Sequence, residues 1–319
     1  MTRFGERTRT GEGLSSIMDW MPVSLDYQNS ATAAYYVVVG GGGAGGAGSG
    51  GNAAGATGSG GGGGGYRTNY GAALSELSGG TPGALETNPL VVTGGTNYTI
   101  TIGAGGTYVS GQGGQGSSTV FGSITSLGGG GGGGYNVAGG AGGSGGGGNS
   151  AGAGTSGQGH AGYGGAVTYN VVHGPHYGAG GGGAGAAGST SGGAGRDTTI
   201  TGTSTGFAGG GAGQQYTYQQ PFSGLYSASH GGGGRTTGFA NNYVGATPGS
   251  ETGGGYPRVN SGGGGGGAGY AGGSGIVIIR YANTFDELAF IDAGLVYSLA
   301  TANNNYIYTF TAGTGVIRF

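Results

Sequence analysis

Short runs of β-branched and aromatic residues alternate with unbroken glycine along most of this chain, and each kind of run leads directly into the other. Tyr35-Tyr36-Val37-Val38-Val39 opens into Gly40–Gly43, and Asn97-Tyr98-Thr99-Ile100-Thr101-Ile102 alternates and then stops at Gly103-Ala104-Gly105-Gly106. The stretch from Thr119 to Leu127 runs into Gly128–Gly134, and Ser274-Gly275-Ile276-Val277-Ile278-Ile279-Arg280-Tyr281 follows Gly262–Gly267. Apolar, β-branched stretches of this length bounded by glycine predict strands. Turn signals at Thr93-Gly94-Gly95 and Gly105-Gly106 bracket the alternating stretch as a hairpin or meander requires. No stretch carries a helical period of useful length, apart from a single turn at Phe285-Asp286-Glu287-Leu288.

The glycine segments need a separate account. Glycine makes up 97 of 319 residues, roughly four times the usual share of about 7%. Collagen needs glycine at every third position and abundant proline, which runs of six and seven glycines and a total of seven prolines exclude. Flexible linkers are not studded with tyrosine in this way. What remains is polyglycine II: extended helices with three residues per turn that lack internal hydrogen bonds and must pair laterally. Without a Cβ they approach closely enough for N–H···O=C bonds between helices. Alanine and serine are expected on the outer faces of such a bundle, and Tyr66, Tyr135, Tyr226, Tyr256 and Tyr270 over its open sides. Ordering each residue costs about 1–2 kcal/mol, glycine most of all, so the strands must clamp the bundle. The predicted fold is mainly β and irregular: short strands in a β-sandwich-like arrangement cap a polyglycine II helix bundle, with almost no α-helix.

Charge narrows the functional classes. Eleven acidic residues face nine basic ones, all arginine, for a net charge of −2. A nearly uncharged chain has no electrostatic footprint for nucleic acid or anionic membrane. The apolar run Ile276–Ile279 is far too short to span a bilayer. There is no cysteine, hence no disulfide framework or thiolate metal site. The N-terminus lacks an apolar core of signal-peptide length, so a protein made in a cytoplasm is expected. Residues 1–30 differ from the rest, holding three of the nine arginines, four of the eleven acids, all three methionines and the only tryptophan. They predict a docking segment with Phe4, Ile17, Met18, Trp20 and Met21 as its contacts, or else an extension packed on its own domain. A glycine-rich domain over 31–282 and a C-terminal β-hairpin segment over 283–319 complete the predicted organisation.

Four phrases in order carry a family likeness: Tyr36-Val37-Val38-Val39-Gly40-Gly41-Gly42-Gly43, then Tyr98-Thr99-Ile100-Thr101-Ile102-Gly103-Ala104-Gly105-Gly106, then Ser118-Thr119-Val120-Phe121-Gly122-Ser123-Ile124, and finally Gly272 through Tyr281. Together they resemble the glycine-rich domain of bacteriophage tail-fibre and other virion structural proteins, particularly those of marine cyanophages. The closing Tyr306–Phe319 is similar to a short strand pair that ends many such fibre proteins, and either completes the sheet of its own domain or pairs with a neighbouring subunit. The resemblance implies a tail-fibre or appendage protein of the virion, made in the host cytoplasm and docked on other virion proteins through residues 1–30. It further implies loops displayed for host attachment and a homo-oligomer, most plausibly a trimer. The alternative is a capsid decoration or cement protein with no receptor role. No coiled-coil shaft is present, which favours a short fibre, a tip or a decoration.

Catalytic signatures are weak. G-x-G-x-x-G recurs throughout a glycine-rich chain without the βαβ context that a dinucleotide needs. His173-Gly174-Pro175-His176 could share a metal but reads more simply as a surface turn, with His160 and His230 elsewhere. No spaced carboxylate pair points to glycosidase work. The expectation is therefore no catalytic residue, no metal, no cofactor and no enzyme. Polar and aromatic interruptions of the glycine pattern are the candidates for receptor contact: Tyr169, His173, His176 and Tyr177, then Tyr216, Tyr218 and Phe222, and Asn241, Asn242 and Tyr243. Such residues offer amphipathic contact area and adaptable hydrogen bonds. They are expected in loops gathered at one end of the bundle, or as plain turns between its helices.

Overall fold

A computed structural model of the chain describes residues 30–47, 58–71, 89–109, 111–165, 176–216, 229–230, 232–233, 237–239, 242–243 and 257–319. The docking candidates Phe4, Ile17, Met18, Trp20 and Met21 lie outside the described residues, as do Tyr169, His173, Tyr218, Phe222, Asn241, Tyr226 and Tyr256.

Two antiparallel sheets form the sandwich. In the first, β17 (Val296–Ala302), β18 (Asn305–Ala312), β15 (Ile276–Ala282), β1 (Ala33–Val39) and β2 (Tyr66–Thr68) lie in that order, and β3 (Leu90–Val91) pairs with the start of β1. The second holds β16 (Phe290–Ile291), β19 (Thr314–Arg318), β4 (Asn97–Thr101), β7 (Thr119–Phe121) and β8 (Ile124–Ser126). Successive side chains on a strand point to opposite faces. Tyr36, Val38, Val277, Ile279, Tyr281, Tyr308 and Phe310 therefore meet Ile100, Phe121, Ile124, Ile317 and Phe319 of the second sheet and its C-terminal end. The predicted sandwich is this interior.

The other face of the first sheet is covered as well. Val37, Val39, Ile276, Ile278 and Ile307 pack against Tyr66, Ile200, Phe207 and Ala208, which belong to β2 and to the hairpin of β10 (Arg196–Thr198) and β11 (Thr205–Phe207). Burial on both faces explains why Val37-Val38-Val39 and Ile276–Ile279 do not alternate with polar residues. Residues 306–319 complete the sheets of their own chain, with β18 beside β15 and β19 beside β4. Asn303 and Asn304, both at positive φ (49° and 57°), make the two-residue turn from β17 to β18, a position that asparagine tolerates. No helix forms at 285–288, where the backbone turns with Phe285 N–H donating to Ala282 O. There is no α-helix among the described residues.

The glycine runs continue the strands without a change of partner. Val39 stands opposite Tyr66 in the sheet. In the same register, Gly40, Gly43 and Gly46 then donate to Gly65, Gly62 and Ser59. The residues between go elsewhere: Gly41 and Ala44 donate to Ser117 and Gly114, and Gly42 and Gly45 to Gly273 and Tyr270. Every third residue addresses the same neighbour, which is the threefold repeat of polyglycine II. Run 58–65 is the axis. It donates to 127–133, 179–182 and 262–265, and accepts from 40–46, 144–147 and 211–214, so six runs surround it.

None of the glycines in 40–46 or 58–65 has positive φ. Glycine is needed there for closeness, because a Cβ on Gly61 would overlap the backbone of Gly43 and Ala44. Some small residues line the outside as expected, among them Ala138, Ala141, Ser150, Ala151 and Ala153, and others do not. Ala44, Ser59, Ser144 and Ala212 are fully buried within the bundle instead of lining its outside, since a run with six neighbours has no outer face. Tyr66, expected over an open side, is a core residue of β2.

Burial pushes the Tyr66 phenol up from 10.0 to about 12, against the opposing hydrogen bonds of Thr198 and Thr68. The folded state thus holds this proton to higher pH than the unfolded chain does, so unfolding releases it in alkali. The stabilisation is full below pH 10 and is lost between pH 10 and about 12, at up to about 1.4 kcal/mol per pH unit. Urea midpoints at pH 8, 10 and 11 should fall in that order, with Tyr66→Phe showing a shallower decline. A midpoint level up to pH 12 would contradict this.

Candidate functional site

Runs 40–46 and 127–133 carry the chain away from the sandwich, and run 58–65 brings it back antiparallel to both. Run 40–46, at about 3.1 Å per residue, spans about 20 Å. Beyond it lie the described connections at 107–113, 134–138 and 163–165, and these form a tip. Three tyrosines stand exposed there: Tyr108 (43%), Tyr135 (41%) and Tyr163 (41%). Tyr108 sits on the hairpin of β5 (Tyr108–Val109) and β6 (Gln112–Gly113), where its hydroxyl accepts from Gly111 N–H at 3.0 Å. Tyr135 precedes Asn136, which turns the chain at φ 54° and accepts a hydrogen bond from Asn149 Nδ2 at 3.1 Å. Gln112 Nε2 donates to Ala138 O at 3.3 Å and ties the hairpin to this turn. Tyr163 closes run 159–162, its carbonyl accepting from Gly148 N–H.

A small sheet joins the same end. It consists of β9 (His176–Tyr177), β12 (Gln215–Tyr216), β13 (Thr237–Phe239) and β14 (Asn242–Tyr243). Its register sets His176 opposite Tyr216, Tyr177 opposite Gln215, and Tyr243 opposite Gly238. Gly178 N–H donates to Gln214 O and Gln214 N–H to Gly58 O, which fastens the sheet to the far end of the central run. Five of the predicted contact residues, His176, Tyr177, Tyr216, Asn242 and Tyr243, therefore share one sheet, in strands rather than loops. Tyr108 and Tyr163 were not singled out by sequence, although both stand close to glycines, Tyr108 two residues after Gly106 and Tyr163 between Gly162 and Gly164. Tyr135, expected as a cover on the flank, stands at the tip instead.

The tip residues named here carry no formal charge with histidine neutral. Of the described charged residues, those on strands, Arg67, Arg196, Asp197, Arg280 and Arg318, belong to the other half. Ser30 and Phe319 lie at the opposite pole, where Val92 N–H bonds Thr32 O and Gly95 N–H bonds Phe319 O. Ser229 Oγ, His230 Nδ1 (2.6 Å) and, from His230 Nε2, Asp197 (3.4 Å) form a chain. It seats the imidazole against Gly195 and Gly206 of the β10–β11 hairpin, whose lack of Cβ makes the room. Among the described residues no group of three or more histidine and carboxylate side chains is arranged to hold a metal, and no helix is long and apolar enough to cross a membrane.

Comparison with known sequences gives one family. The sequence model described as a glycine-rich domain matches residues 22–282, most of the chain. No curated protein matches it.

Proposed function

We propose that this chain, which belongs to the glycine-rich domain family, is a virion structural protein of a bacteriophage: a tail-fibre or appendage protein that holds an uncharged binding tip at a fixed distance from its attachment pole. The observation that carries this reading is polarity. Residue 30, where the predicted docking segment joins the described chain, lies at the sandwich pole, and the exposed tyrosines and the small sheet lie at the other. Between them the runs are hydrogen-bonded to one another, the central run to six neighbours. Tyrosine, asparagine and glutamine at the tip suit a neutral glycan or a protein surface, giving contact area at low side-chain entropy and adaptable hydrogen bonds. Attachment works by display and contact alone, the first 30 residues meeting other virion proteins. Copies associate as a homo-oligomer, with a trimer favoured. The outermost strand β17 supports association: it is almost wholly exposed along seven residues and has neither charge nor proline, the usual protections of a sheet edge.

Electron cryomicroscopy of the native particle tests the placement, with density for this chain expected at the tail periphery. Density spread over the capsid lattice would instead establish the decoration role and remove the receptor. Adsorption of purified protein to host cells tests the tip. The combined Tyr108→Ala, Tyr135→Ala and Tyr163→Ala variant should bind at least about tenfold more weakly, since stacked aromatic contacts are worth about 0.5–1.5 kcal/mol each. Thermal unfolding checks that the variant folds, since each of the three side chains is partly covered and Tyr108 also accepts the Gly111 hydrogen bond. Unchanged adsorption would defeat the assignment.

A further inference from the structure

The first sheet ends in an open edge. β17 pairs with β18 alone among the described residues, so the backbone N–H and C=O groups along its other side have no strand beside them there. The core also stops short at this edge. Tyr297 and Leu299 stand opposite Phe310 and Tyr308, and so share the face that looks into the sandwich. Phe310 and Tyr308 are at most 1% exposed, whereas Tyr297 and Leu299 are 46% and 36% exposed. We infer that residues 23–27 of a neighbouring copy lie along β17 as an added strand and close this edge. The inference rests on the homo-oligomer reading above and gives it a contact.

Residues 23–27 lie outside the described residues, and their sequence carries the pattern that the edge needs. Val23-Ser24-Leu25-Asp26-Tyr27 alternates strictly, as a strand with one covered face does. In the added strand Val23, Leu25 and Tyr27 extend the apolar face of Tyr297 and Leu299, and Ser24 and Asp26 take the solvent face beside Ser298 and Ala300. Pro22 precedes them, and proline suits the first residue of a strand because it has no N–H to give the ladder. β17 has no charged residue, so Asp26 meets no like charge on it. The glycine-rich family model begins at residue 22, ahead of Ser30, which makes this segment part of the domain. Phe4, Ile17, Met18, Trp20 and Met21 all precede it and are left for the docking role. A segment that every copy brings to the oligomer is also present at high local concentration.

The chain's own segment does not reach this edge. β15 and β18 lie between β1 and β17, so a strand added beyond β17 is four spacings, roughly 19 Å, from β1. Ser30 stands beside Gly94, which follows β3, the strand paired with the start of β1. Tyr27 is three residues further back and lies at most about 11 Å from Ser30. Exchange between copies removes the difficulty. Each copy lends one segment and receives one, a head-to-tail contact that forms a ring when the rotation closes. A ring of three is the favoured trimer, with every tip on the same side. Antiparallel pairing of β17 with its own copy would instead point the two bundles in opposite directions, which a single attachment pole does not allow.

The test exploits a chain without cysteine. Ser24→Cys or Asp26→Cys is combined with Ser298→Cys or Ala300→Cys in the full-length protein, which is then oxidised gently and run on non-reducing gels. At least one of these pairs should link separate copies covalently, while Ser298→Cys alone and Ala300→Cys alone give no link. Sedimentation of the parent and of Leu25→Pro is the second readout. The proline takes a ladder N–H from the middle of the added strand, and the subunit dissociation constant should rise at least about tenfold. Thermal unfolding checks that the variants fold, and the cross-links decide by themselves if Leu25→Pro does not. Links confined within one copy, links through Ser298→Cys or Ala300→Cys alone, or no link from any pair would overturn the inference. So would a folded Leu25→Pro that associates as tightly as the parent, a result that leaves the homo-oligomer reading standing. A monomeric parent would remove both.

Discussion

Replacing Gly61 by alanine should remove about 3–5 kcal/mol of stability, among the largest losses a single methyl group can cause. Gly61 lies in the central run, where a Cβ would overlap the carbonyl of Gly43 and approach Ala44 O at 2.7 Å. Every atom it meets there is backbone, so no side chain can rotate away. The runs must separate, and separation stretches the bonds from Gly61 N–H to Gly265 O and from Gly211 N–H to Gly61 O, along with their neighbours in the same register. Each such bond is worth about 0.5–1.5 kcal/mol net, and more when a buried partner is left unsatisfied. Gly95→Ala is the matched control. Gly95 sits at φ 74° with nothing near an added Cβ, so the substitution should cost only about 1–2 kcal/mol of left-handed strain. Urea unfolding of both variants distinguishes a glycine kept for closeness from one kept for its dihedral angles. A Gly61→Ala protein as stable as Gly95→Ala would refute the close-packed bundle.

Phe121→Ala should cost about 3–5 kcal/mol, the usual range for deleting a buried phenylalanine, and its effect should reach the bundle. Phe121 is fully buried between the two sheets, with Tyr36 and Tyr98 each 6.1 Å away between ring centres. It lies on β7, whose pairing with β4 continues beyond the sheet as Ser117 N–H donating to Ala104 O and Gly114 N–H to Thr107 O. The sandwich therefore sets the alignment of the runs, which have no side chains with which to align themselves. Amide hydrogen exchange should show protection at Gly43 and Gly130 falling in step with that at Ile100. Retained protection in the runs alongside a loosened sandwich would mean that the bundle aligns on its own.

Much of the sandwich was legible because its strands announce themselves. Tyr35–Val39, Asn97–Ile102, Thr119–Ser126 and Ile276–Tyr281 became β1, β4, β7 with β8, and β15. The bundle was legible by exclusion, since long glycine runs set among aromatic residues left few other structures. The second hydrophobic layer was not. Arg196–Thr198 and Thr205–Phe207 are short and polar, and only their contact with Ile278 and Val39 makes them part of a core. The placing of alanine and serine was legible only in part, because sequence shows small size but not the number of neighbours around a run. At the tip, His176, Tyr177, Tyr216, Asn242 and Tyr243 stood out as polar and aromatic breaks in glycine. Tyr108 and Tyr163, single tyrosines among glycine and small residues, did not.

The unbroken register from strand into glycine run makes the bundle a ruler graduated in threes. Three residues added to each run would restore every donor to its former neighbour and advance the tip by about 9 Å, leaving the sandwich and the tip connections as they are. One or two residues added to a single run would rotate its donors toward the wrong neighbours. Reach and recognition can thus change independently in this architecture: reach by glycine triplets, recognition by what is written between them.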